Sequence, residues 1–95
     1  MSQAEQLLNQ YLDFPSSGEG SRDSLLLMTK KRVLELMEHD MSHLMNSLYR
    51  IDVREPDVKA AFGLGSQEAI ASEIARLMVE RIEEKIYFRK NWASP

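Results

Sequence analysis

Cysteine is absent from this chain, which excludes a disulfide framework and thiolate metal sites and leaves nothing that points to an oxidising compartment. Long apolar runs are missing too. The longest, Leu25 to Met28, falls far short of the ~20 residues a membrane span needs, and the start MSQAEQ is polar. No membrane partner is expected, and the chain reads as cytoplasmic. Excess positive charge is lacking as well: the formal net charge is -3 and the pI about 5.3. That balance argues against a protein that coats nucleic acid through bulk charge, because such binding is driven by phosphate neutralisation. No phosphate-cradling glycine loop and no Ser-His-Asp set tied to a strand-turn-helix is visible. Neither an enzyme nor a cofactor is expected.

What is present is helical. Ninety-five residues with 43% apolar content predict one domain, 1–95, with one modest core. No segment alternates with period two, so the fold class is all-α. Asp23 to Ile51 reads as one long helix: Val33, Met37, Met41, Leu44, Leu48 and Ile51 share a face, widened by Leu34 and Met45, and Glu35, Glu38, His39, Ser42, Asn46 and Arg50 line the other. The domain is expected to be organised around it. Six methionines against three phenylalanines make a soft apolar inventory, suited to filling an irregular core or to a surface that meets other helices.

In chain order, Ser2 to Glu5 forms a capping box that opens a short helix with an apolar stripe of Leu7, Leu8, Tyr11 and Leu12, closed by Pro15. Residues 1–14 are thus an arm helix, which needs a docking partner on its own chain or on a second copy. Residues 15–22, PSSGEGSR, read as a flexible linker, and 23–90 as the helical core. The long helix starts at Asp23 or Ser24, or else at Thr29. The earlier start keeps Lys30, Lys31 and Arg32 away from the positive end of the helix dipole. Asp52 to Glu55 is a second capping box with Pro56 just inside a short helix to Phe62; Gly63 and Gly65 then offer positions that tolerate positive φ, and Ser66 caps a last helix to about Lys90. The two long helices are expected to pack antiparallel. The last one is apolar over about half its circumference, wider than one neighbour needs. This predicts a homodimer interface on Ile70, Ile74, Met78, Ile82 and Ile86, with joint cover by the long helix and the arm as the competing explanation.

Three weaker patterns bear on chemistry. Glu35, His39 and His43 stand one turn apart on the predicted helix, where two imidazoles and a carboxylate fit one metal; against this, the stripe is solvated and there is no third histidine. Arg81 falls inside the apolar arc, so it needs a partner, Asp40 or Asp52, unless it builds an anion pocket with Lys85 and Arg50. The 55–82 segment resembles a helix-turn-helix, and KIYFRKNW interleaves Lys85, Arg89 and Lys90 with Tyr87, Phe88 and Trp92, as single-strand binders do. Glu68 and Glu73 at the head of the would-be recognition helix oppose phosphate. Cations and aromatics also suit an ordinary helix C-terminus. The reading that emerges is a non-enzymatic helical interaction module, homodimeric and bound to another protein in a regulatory or adaptor role, with nucleic-acid binding and a metal or anion site as alternatives.

Overall fold

The computed structural model describes residues 3–13 and 21–93, with side chains as far as 88. Its elements are α1 (Gln3–Leu12), α2 (Arg22–His39), α3 (Met41–Ile51), α4 (Glu55–Phe62) and α5 (Gln67–Ala93), and the described residues contain no strand. None of these helices is long and apolar enough to cross a membrane. Ser2 of the first capping box and the linker up to residue 20 lie outside the described residues.

The expected helix from Asp23 to Ile51 is two helices. Asp40 leaves helical geometry (φ −156°, ψ 70°): its N–H still donates to Leu36 O at 2.8 Å and closes α2, while its carboxylate accepts from His43 N at 3.1 Å and opens α3. Aspartate favours that role because its short side chain satisfies an exposed N–H at a helix start. The break redirects the apolar face. Leu25, Thr29, Val33 and Leu36 enter the core from α2, and Leu44, Ser47, Leu48 and Ile51 from α3, whereas Met41 and Met45 turn outward. Thr29 is buried because its hydroxyl donates to Leu25 O, 2.7 Å away, so it is not a helix cap. The cap of α2 is Ser21, whose Oγ accepts from Ser24 N, so the helix begins at Arg22, one residue before the earliest start expected of it.

Asp52 does not open α4. It ends α3 in the left-handed region (φ 68°, ψ 46°), with Val53 N donating back to Leu48 O at 3.1 Å in a Schellman-type closure. Arg54 takes the N-cap position of α4 and makes no side-chain cap, and the carboxylate of Asp52 is drawn instead to Arg81. Of the two glycines after α4, Gly65 has positive φ (93°), whereas Gly63 does not. Ser66 caps α5 as expected, accepting from Ala69 N at 3.1 Å.

The organising element is α5, which packs against each of the other four helices. Its wide apolar arc is covered from within the chain. Ala71, Ile74, Met78, Val79 and Ile82 are fully buried, and Ile70 and Ile86 pack at the core's edge. The proposed subunit interface on Ile74, Met78 and Ile82 is therefore the domain's own core, because α1, α2, α3 and α4 together supply the second partner that a wide stripe requires. Arg22 at the head of α2 reaches Glu83, late in α5, at 2.9 Å, and Lys30, further along α2, reaches Glu68 in the first turn of α5 at 2.7 Å.

Candidate functional site

The arm docks on its own chain. Leu8 and Leu12 are fully buried, and the carbonyls left open at the end of α1 are taken up by side chains from α2 and α3. Arg32 Nε donates to Leu12 O at 2.6 Å, His43 Nε2 donates to Tyr11 O at 2.9 Å, and the Ser47 hydroxyl lies 3.0 Å from that same carbonyl. The Arg50 guanidinium sits 5.4 Å from the centre of the Tyr11 ring. His43 and Arg50 are thus committed to holding α1.

These positions decide two of the expected sites. The helix break at Asp40 removes the one-turn spacing that was to align His39 with His43. His39 lies in the exposed last turn of α2, 3.8 Å from Glu38, while Glu35 is 3.5 Å from Arg32. Glu35, His39 and His43 are not brought together, and no group of three or more His, Asp or Glu among the described residues fits a metal ion. Asp40 is likewise separated from Arg81 by its capping role. Asp52 is the partner: Arg81 donates from Nε to Asp52 O at 3.1 Å and from Nη2 to Asp52 Oδ2 at 3.2 Å, and its Nη1 reaches Glu84 at 3.1 Å. The surrounding groove, about 320 Å³, is lined by Asp52, Asp57, Glu80 and Glu84 against Arg54 and Arg81. Carboxylates outnumber guanidinium groups, and Arg81 is already satisfied, so the groove does not draw an anion. Arg50 is elsewhere, over Tyr11.

The helix-turn-helix-like segment is present as α4, a four-residue turn and α5. The exposed side of early α5 carries Glu68, Ser72 and Arg76, and Arg76 is held by Glu73 and, at 2.8 Å, by Glu80. That pairing raises the pKa of the guanidinium and lowers that of Glu73 below the usual glutamate value, chiefly through the side-chain hydrogen bonds between them. The cation is neutralised locally rather than offered to phosphate.

The surface that wheel reasoning missed is on α3. Met41, Met45 and Tyr49 form one outward stripe at i, i+4 and i+8, with side chains 40%, 43% and 85% exposed. Beside it, Met45, Leu48, Tyr49, Val53, Glu55 and Val58 line a groove of about 260 Å³ between α3 and the start of α4. A second exposed apolar pair, Tyr87 and Phe88, stands on α5 with ring centroids 5.8 Å apart and planes at 77°. A continuous exposed apolar stripe beside an apolar groove is the chemistry of helix-in-groove docking, in which flexible methionines adapt to the partner. No protein-family model, curated protein or solved structure matches this chain.

Proposed function

We propose that this chain is a non-enzymatic helical protein-interaction module with a regulatory or adaptor role, and that it docks its partner on the outer face of α3. The observation that carries this reading is the Met41–Met45–Tyr49 stripe, three large apolar side chains exposed in register beside a groove. Placing these residues on the surface costs folding energy that burial would have supplied, roughly 1.5–3 kcal/mol for each fully buried side chain, and docking recovers it. The rest of the fold serves as a rigid mount. The two ion pairs Arg22–Glu83 and Lys30–Glu68 support an antiparallel run of α2 and α5, which stiffens the platform that carries α3.

The test places a photo-activatable phenylalanine analogue at Tyr49, the most exposed side chain of the stripe, and irradiates cells that produce the protein. A specific intermolecular cross-link to a protein at this position, absent when the same analogue replaces the exposed Lys59, is the expected result. Cross-linking of equal yield at both positions, or none at Tyr49, would dispose of the α3 face as a docking surface.

A further inference from the structure

The sulfur chemistry of this chain is confined to methionine, because cysteine is absent. The thioethers differ sharply in exposure. Met78 is fully buried in α5, and Met28 and Met37 pack half-buried against the core, whereas Met41 and Met45 stand one turn apart on the outer face of α3, 40% and 43% exposed. The same helix sends Leu44, Leu48 and Ile51 inward, so its inert aliphatic side chains face the core and its oxidisable ones face water. Met45 also lines the groove, beside Leu48, Val53 and Val58.

We infer that Met41 and Met45 form a reversible oxidation site, at which hydrogen peroxide closes the α3 face to its partner. This deepens the docking reading of that face and rests on it. The thioether sulfur gives a lone pair to one peroxide oxygen. The S–O bond forms as the O–O bond breaks, and the leaving hydroxide takes the proton of the transferred hydroxyl and departs as water. Sulfur is oxidised by two electrons and the peroxide is reduced. A methionine sulfoxide reductase returns the thioether by oxidising two thiols to a disulfide, with the oxygen released as water.

The product changes what the face can bind. A sulfoxide is polar and chiral where the thioether was apolar and adaptable. Leu48, Val53 and Val58 have no side-chain donor for the new oxygen, so an apolar partner seated on the groove buries it unpaired. Docking covers the same two sulfurs, so a seated partner shields them and the oxidation acts on the free protein.

The test combines brief hydrogen peroxide treatment with the photo-cross-link from the analogue at Tyr49. Peptide mass spectrometry should find one added oxygen on Met41 and on Met45 well before Met78, and methionine sulfoxide reductases of both epimer specificities should remove it from the purified protein. Helicity and the thermal melt should stay unchanged. Cross-link yield should fall about tenfold, as burial of an unpaired polar group predicts. Met41→Leu/Met45→Leu, apolar and inert, should cross-link equally with and without peroxide, and Met45→Gln, polar like the sulfoxide, should cross-link weakly without it.

An undiminished cross-link from protein that carries both sulfoxides would overturn the inference and leave the docking face standing. Loss of the cross-link in Met41→Leu/Met45→Leu, before or after peroxide, would put the sensitivity elsewhere. Unfolding on oxidation would make the effect one of stability, and sulfoxides that the reductases leave in place would end its reversibility. No cross-link from Tyr49 before peroxide would remove the docking face and the oxidation switch together.

Discussion

His43 of α3 donates from Nε2 to the main-chain carbonyl of Tyr11 across 2.9 Å, so an orphan carbonyl at the end of α1 is satisfied by a side chain 32 residues further along. The same imidazole was a candidate metal ligand on sequence grounds. Its observed role is to hold the arm, together with Ser47 and, through Leu12 O, Arg32.

His43→Ala should therefore loosen α1 selectively. Loss of a hydrogen bond of this kind costs about 1 kcal/mol, which corresponds to roughly fivefold faster amide exchange in residues 3–12, with α2 and α5 little changed. Leu8→Ala, which empties a fully buried position, should cost about 2–5 kcal/mol and release the arm outright. Exchange rates in α1 that are the same in His43→Ala and the wild type would mean that the clamp contributes nothing.

Ile74→Glu and Ile82→Glu, made separately, should abolish cooperative folding rather than dissociate subunits. Both side chains have no exposed surface, and a carboxylate placed there has no partner within the apolar core. Thermal melts by circular dichroism distinguish the outcomes. A fully helical, folded Ile74→Glu protein would return this face of α5 to a subunit interface.

Acid should weaken the α5 surface through Glu73. Its hydrogen bond from Arg76, with the guanidinium charge beside it, holds its pKa below the ordinary glutamate value of 4.5. A carboxyl whose folded pKa is depressed stabilises the fold above the unfolded value and loses that contribution as pH falls through the folded one. Melting temperature should thus decline as pH is lowered below about 4.5, and less steeply in Glu73→Gln. Identical profiles below that pH in the two proteins would remove Glu73 from the account.

The helical class, the cap at Ser66 and most core positions were legible from residue spacing, because 3.6-residue periodicity and short polar caps are local properties, whereas the choice between Asp40 and Asp52 as the partner of Arg81 was left open by it. The break at Asp40 was hidden by the apolar pattern around it. Val33, Met37, Met41 and Leu44 continue one face straight through, and only the capping preference of aspartate, with a backbone N–H to satisfy at His43, signals a stop. That single miss moved Met41 and Met45 from core to surface and left the α3 stripe unseen. The wide arc of α5 was visible, and cover by the long helix and the arm was one of its two explanations; what no local period records is that α1, α2, α3 and α4 all close on it, which takes tertiary contacts. Asp52 misled for a related reason, since aspartate serves equally as an N-cap and as a residue that tolerates the left-handed conformation.

The account turns on Met41 and Met45 standing on the open face of α3 while Met78 stays inside α5's core. Peroxide footprinting read by peptide mass spectrometry measures this directly because methionine oxidation follows exposure. The expected result is rapid oxidation of Met41 and Met45 and slow oxidation of Met78. Oxidation of Met78 as fast as theirs, or of Met41 and Met45 as slow as that of Met78, would contradict it.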